Sequence, residues 1–118
     1  MAVRALVEVF TGIGGLKLYK WEGLLNGDTG TPVQLPNFSD KSLQAIGTFG
    51  AGGTVTIQGS NDQGTTFGAL HRFDATDLTL TDSEPGAPVE NTLQIRPNVT
   101  AGDGTTSLAV WLLAHTTR

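Results

Sequence analysis

Apolar and polar positions alternate along most of this chain, and the period is two. In Thr54-Val-Thr-Ile-Gln58, Val55 and Ile57 interleave with polar neighbours, which puts one set on each face of a pleated strand. The stretch from Leu43 to Leu70 contains two more such runs, Leu43-Gln-Ala-Ile-Gly-Thr-Phe49 and Thr65-Thr-Phe-Gly-Ala-Leu70. They are separated from the first by Gly50-Ala-Gly-Gly53 and by Gly59-Ser-Asn-Asp-Gln-Gly64. Glycine reaches positive φ without steric cost, and Asn and Asp suit tight turns. The stretch therefore predicts a β-meander of two hairpins with Val55 and Ile57 in the core.

Alternation continues on both sides. Leu16, Leu18 and Lys20 oppose Lys17, Tyr19 and Trp21, and the pairing of Tyr19 with Trp21 on one face gives a large anchor with a polar handle. Thr31-Pro-Val-Gln-Leu-Pro36 reads as an edge strand bounded by prolines. Leu78-Thr-Leu-Thr81 and Val89-Glu-Asn-Thr-Leu-Gln-Ile-Arg96 alternate again, Pro97 is expected to limit the second ladder, and Asp103-Gly104 is a hairpin signal. In Thr106-Ser-Leu-Ala-Val-Trp-Leu-Leu-Ala114, Leu108, Val110 and Leu112 share one face while Ala109, Trp111 and Leu113 share the other. A strand apolar on both faces is either central or covered by a partner.

The first residues share that property. Val3, Ala5, Val7 and Val9 alternate with Arg4, Leu6, Glu8 and Phe10, and Gly12-Ile-Gly-Gly15 follows. This predicts an extended N-terminal arm and glycine hinge over residues 1–15, ordered by strand addition or apolar packing against a sister subunit or the capsid, ahead of a sandwich domain over 16–118; the alternative is that the segment is the first strand of its own sheet. Without Gly-Lys-Ser/Thr after it, the glycine run is not a phosphate loop. Together the pattern predicts an all-β chain: a jelly-roll-like two-sheet β-sandwich of about eight strands with no helix. The candidate partner-binding residues are Val3, Leu6, Val7, Val9, Phe10, Tyr19 and Trp21.

Composition narrows the function classes. At 118 residues the chain is the size of one domain, which buries roughly two-thirds of its unfolded surface. The net charge of −4 and the scatter of seven Lys and Arg from Arg4 to Arg118 argue against a nucleic-acid partner. Arg4 and Glu8 interrupt the first apolar stretch well short of a leader or a membrane span, so neither is expected. The chain has no cysteine, so no disulfide or thiolate metal site is available. Asn37-Phe-Ser39 and Asn98-Val-Thr100 match the glycosylation sequon but read as loop polar residues.

Catalytic candidates are sparse. His71 with Asp74 and Asp77 could ligate a divalent ion, but no second histidine lies nearby, and a strand end is the simpler reading. The acidic run of Asp74, Asp77, Asp82, Glu84 and Glu90 lacks calcium-loop spacing and reads as a solvated rim. Ser60-Asn61-Asp62 is accounted for by turn chemistry. No enzyme activity, cofactor or metal is expected.

Four segments carry a resemblance. Asn26-Gly-Asp-Thr-Gly-Thr-Pro-Val-Gln-Leu-Pro36, the run from Gly47 to Asp62, Ile95-Arg-Pro97 and Thr100-Ala-Gly-Asp-Gly-Thr-Thr106 resemble the capsid decoration, or cement, proteins of tailed bacteriophages. The resemblance spans Asn26 to Leu113. It implies a jelly-roll or similar sandwich that associates as dimers or trimers on the capsid exterior, bridges major capsid protein subunits, and is made in the host cytoplasm. It brings no catalytic residue. The alternatives are a tail, baseplate or fibre sandwich and a carbohydrate-binding module, for which Tyr19 and Trp21 would be the sugar platform.

Overall fold

The computed structural model describes residues 2–10 and 15–116, with Phe10 described in its backbone only. The described residues form eleven strands and no helix: β1 Val3–Arg4, β2 Leu6–Phe10, β3 Leu16–Leu24, β4 Thr29–Gly30, β5 Val33–Gln34, β6 Asp40–Thr48, β7 Thr54–Ser60, β8 Gly68–Ala69, β9 Thr79–Leu80, β10 Gln94–Ala101 and β11 Ser107–His115. Five of these span two residues, which is why alternation alone suggested fewer. One sheet runs β1-β4-β10-β7-β8, with β5 also on β10 and β9 also on β7; the other runs β2-β3-β11-β6. The all-β two-sheet sandwich expected from the pattern is present.

The core lies between the sheets and follows the period of two. Val55 and Ile57 are fully buried on β7, as are Trp21 on β3 and Val110 and Leu112 on β11. Trp21 reaches across the sandwich to the other sheet. Its indole N–H donates to the Thr31 carbonyl at 2.8 Å, and a Cβ on Gly30 would sit 2.5 Å from the ring and 2.7 Å from Pro97. Only glycine fits there.

Two connections depart from the sequence expectation. The stretch from Leu43 to Leu70 is not a meander, because β6 pairs with β11 in one sheet and β7 with β10 in the other. The β6–β7 connection changes sheets, and only β7–β8 is a hairpin. The Asp103-Gly104 turn likewise joins β10 to β11 across the sandwich. The two crossings lock together. The Asp103 carboxylate accepts from the Ala51 and Thr105 amides at 2.9 and 2.8 Å, and the Thr106 hydroxyl donates to the Phe49 carbonyl at 2.7 Å. Local turn signals cannot tell a hairpin from a sheet change, since both need the same residues. Hydrogen bonds from Thr105 and Ala51 hold the Asp103 carboxyl down at about 2.

Pro97 does not end a ladder either. It sits inside β10 opposite Ile57, while β5 pairs at Gln94 and Ile95 and β4 at Asn98. The missing N–H falls between those two short strands, where it breaks no bond of the β7 ladder. Asn98-Val-Thr100 is therefore strand, not loop, and Val89 to Leu93 is loop, not strand.

The N-terminal segment is corrected most. Residues 2–10 pair within their own chain: β1 runs parallel to β4, and β2 lies antiparallel to β3. Asp28 secures the start by accepting from the Ala2 amide at 2.9 Å, the Arg4 guanidinium at 2.8 Å and the Leu25 amide at 3.0 Å. The segment is thus the edge of both sheets rather than a detached arm. Residues 11–14 of the expected hinge lie outside the described residues.

Two outcomes follow. Ile57→Ala, a fully buried site, is expected to cost about 2–5 kcal/mol in denaturant unfolding; a loss under about 1 kcal/mol would contradict the inward facing of β7. Because the folded Asp103 carboxyl titrates below its unfolded value of about 4, its contribution is present above that pH and lost as the pH falls toward about 2. Asp103→Asn should therefore lower the melting temperature at neutral pH and flatten its decline in acid; an acid slope equal to wild type would rule out this lock.

Candidate functional site

The structure separates the sequence-picked residues into two groups. Tyr19 and Trp21 are core, at 8% and 0% exposure, so they form neither a contact surface nor a sugar platform. This removes the one feature that favoured glycan binding. Leu6 is half-buried and packs against the core, while Val3, Val7 and Val9 are exposed along the two sheet edges. For Phe10 the backbone pairs with Leu18.

The larger apolar surface was visible only as an ambiguity in the sequence. On β3, β11 and β6 the buried positions are Tyr19, Trp21 and Leu24; Leu108, Val110, Leu112 and Ala114; and Lys41, Leu43 and Ala45. The intervening residues face out. Pairing sets Trp111 between Lys20 and Gln44, and Leu113 between Leu18 and Ser42, with Ala109 beside Ile46. Val7 extends the Trp111 row onto β2. The result is an outward apolar row of Leu18, Leu113, Trp111, Ala109 and Ile46, with Lys20, Ser42 and Gln44 beside it and Val7 beyond Lys20.

A groove of about 260 Å³ runs over this face, bounded by Leu18, Ile46, Trp111, Leu113 and Pro85. Pro85 comes from the segment that covers the β6 edge, where Leu43 and Gly86 exchange two 2.8 Å backbone hydrogen bonds. The Lys20 ammonium stands 5.1 Å from the Trp111 ring centroid and 2.6 Å from Glu22, so its charge lies over the ring as a cation–π contact. The opposite sheet is different. There Arg96 donates to Gln58 at 3.0 Å and stacks 3.9 Å from Phe67, and the Thr56 and Thr100 hydroxyls meet at 3.2 Å. One outer face is polar, and the other mixes apolar groups with Lys20, Ser42 and Gln44.

Titratable groups gather at the root of the loop 72–76. His71 Nδ1 lies 2.5 Å from Glu90 and Nε2 lies 3.6 Å from Asp77, while the His71 amide donates to Glu90 at 2.8 Å. The Glu90 hydrogen bond raises the imidazole pKa, against a smaller opposing effect of desolvation. Asp74, the third member of the possible metal set, instead accepts from the Thr76 amide and hydroxyl at 3.0 and 2.6 Å. Among the described residues no three such side chains are placed to hold a metal ion. The space between the sheets is filled by the apolar cluster around Trp21, Ile57 and Leu112, with His71 at a sheet end and His115 on the outer side of β11.

No protein-family model matches the chain, and no curated protein sequence matches it. Solved structures do. The SPBc2 prophage-derived protein YomS superposes with a TM-score of 0.62 at 10% identity, over 90% of this chain and 97% of that one. The cupin domain of Schizosaccharomyces pombe Cnp3 gives 0.55 at 8% identity, over 95% of this chain and 60% of that one. An oxalate oxidase in complex with the substrate analogue glycolate gives 0.53 at 15%, over 95% and 51%. The fold is cupin-like. At these identities the likeness concerns the fold, and this chain spans about half of the oxidase.

The His71 clasp has a definite pH sign. Its folded pKa is raised, so its contribution is complete below the unfolded value of about 6.5 and disappears as the pH rises through the folded value. In an NMR titration the His71 ring should titrate above about 6.5, and in Glu90→Gln it should return toward that value. A titration that Glu90→Gln leaves unmoved would show that Glu90 does not hold the ring.

Proposed function

We propose that this protein is a non-enzymatic virion structural protein of a tailed phage. It binds the exterior of an assembled capsid and stabilises the shell by bridging major capsid subunits, and its copies associate as dimers or trimers through the outer face of β3, β11 and β6. The observation that carries this reading is the row of outward apolar groups Leu18, Leu113, Trp111, Ala109 and Ile46, flanked by Lys20, Ser42 and Gln44, on a sandwich whose other outer face is more polar. Apolar groups gathered on an outer sheet face, with Ile46 exposed and Leu18, Trp111 and Leu113 half-buried, suit a contact site. The fold likeness to a prophage-derived protein along nearly its whole length supports the phage setting.

The energetic logic is linkage. A protein that binds the closed shell and not its separated subunits stabilises the shell by about 2.7 kcal/mol per site at a hundred times Kd. Joining two or three copies raises retention further, because each added contact becomes intramolecular.

Leu113→Asp tests both levels. Placed opposite Leu18 and Ser42, the aspartate leaves the inward face of β11 untouched, so the circular dichroism spectrum should match wild type. Sedimentation should show wild type as an oligomer and the variant as a monomer. Cosedimentation with purified capsids of the encoding phage should show retention of wild type and at least about tenfold weaker retention of the variant. A monomeric wild type, or capsids that retain none of it, would refute the corresponding half of the proposal.

A further inference from the structure

The two margins of the four-stranded sheet β2-β3-β11-β6 are finished differently. On β6 a loop covers the edge, through the paired backbone hydrogen bonds of Leu43 and Gly86. On β2 nothing among the described residues pairs beyond Leu6–Phe10. An uncovered strand presents a row of N–H and C=O groups that only another strand satisfies in full, and proteins protect such edges with loops, charges, bulges or extreme shortness. The marginal strands β1, β8 and β9 of the other sheet span two residues each. β2 spans five, and its protection is a register shift between Glu8 and Phe10 and the single charge of Glu8.

The residues of this edge complement themselves. Only Ala5 separates β2 from β1, and Ala5, Val7 and Glu8 are all exposed. In an antiparallel pair related by a two-fold axis, opposite residues point to the same side of the sheet, so the axis passes through one residue and its own copy. An axis at Glu8 would set two carboxylates against each other. An axis at Val7 would set Leu6 against Glu8 and Arg4 against Phe10. An axis at Leu6 sets Ala5 against Val7 and Arg4 against Glu8, which matches apolar to apolar and cation to anion at every position. Both charges are available for it: Glu8 has no ion pair among the described residues, and Arg4 meets Asp28 through Nε, while its two terminal nitrogens make no hydrogen bond there. We infer that the open edges of two copies pair antiparallel about Leu6, with Arg4 of each closing on Glu8 of the other. Five residues a side make a small contact, weak in dilute solution and effective between copies already crowded together. It uses none of the outer sheet face and does not depend on capsid binding.

Because the chain has no cysteine, introduced thiols report the register directly. Directly opposed Cα atoms lie about 4.5–5.5 Å apart, within disulfide range, whereas diagonal neighbours at about 7–8 Å lie outside it. Full-length Ala5→Cys and Val7→Cys, mixed in equal amounts at high concentration under mild oxidation, should form a linked dimer, and either one alone should form at least about tenfold less. Adding Glu8→Lys to both chains should cut linkage about tenfold, with the circular dichroism spectrum as in wild type. Glu8→Gln, which keeps the side-chain shape, should cut it about threefold and remove its sensitivity to added salt. Leu113→Asp in both chains should leave linkage within about twofold, since the sheet face takes no part. Linkage by Val7→Cys alone equal to that of the mixture, or linkage that neither Glu8 variant changes, overturns the register and with it the inference. So does a mixture that does not link. Linkage that Leu113→Asp abolishes assigns the contact to the sheet face, which overturns the edge pairing and leaves the reading above intact.

Discussion

Two sheets can slide over one another unless something fixes their relative position, and here Trp21 does so. It is fully buried, stands on β3 in one sheet, and lies against Gly30 and Pro97 in the other. A ring of this size removes about 150–250 Å² from water, worth on the order of 5 kcal/mol. Apolar burial alone has no direction, however. The indole hydrogen bond to Thr31 supplies direction and ties β3 to the chain just beyond β4. The absence of a Cβ at Gly30 and of an N–H at Pro97 then follow from the same packing: one makes room for the ring, and the other needs no partner in the gap between β4 and β5.

With the sheets fixed, the outer faces are free to differ, and they do. Arg96, Gln58, Thr56 and Thr100 satisfy one another on the wet side. Leu18, Trp111 and Leu113 on the opposite side lie among Lys20, Ser42, Gln44 and Pro85. Cross-strand pairing on that face, Leu113 beside Leu18 and Trp111 beside Lys20, adds to the stability of the sheet itself.

How far the residues disclose this depends on the range of the interaction. The inward facing of Val55, Ile57, Leu108 and Val110 is local, and alternation reveals it. So does the turn at Ser60-Asn61-Asp62, where the Ser60 hydroxyl and the Thr66 amide donate to Asp62 at 2.7 and 2.8 Å. Sheet membership is not local. Gly50 to Gly53 and Asp103-Gly104 bend the chain as predicted, but only the lock between Asp103 and Ala51, over fifty residues apart in sequence, shows that they cross the sandwich. The pairing of β1 with Thr29 is equally long-range, so an edge of the fold looked like an arm. Both faces of β11 read as apolar in the sequence, which leaves a central strand or one covered by a partner, and the pairing makes it central, between β3 and β6; Tyr19 and Trp21 belong to the inward set.

The central place of β11 also bears on when the molecule comes into being. Both β3 and β6 pair with it, and β3 and β6 do not pair with each other, so until residues 107–115 have been synthesised the four-stranded sheet is two fragments with open edges. The sheet containing β7 and β10 can form earlier. A ribosome-bound chain is therefore exposed to misassembly late in its synthesis. The same strand supplies Trp111 and Leu113, so a chain cut short before it lacks both the closed four-stranded sheet and the largest apolar groups of that sheet's outer side.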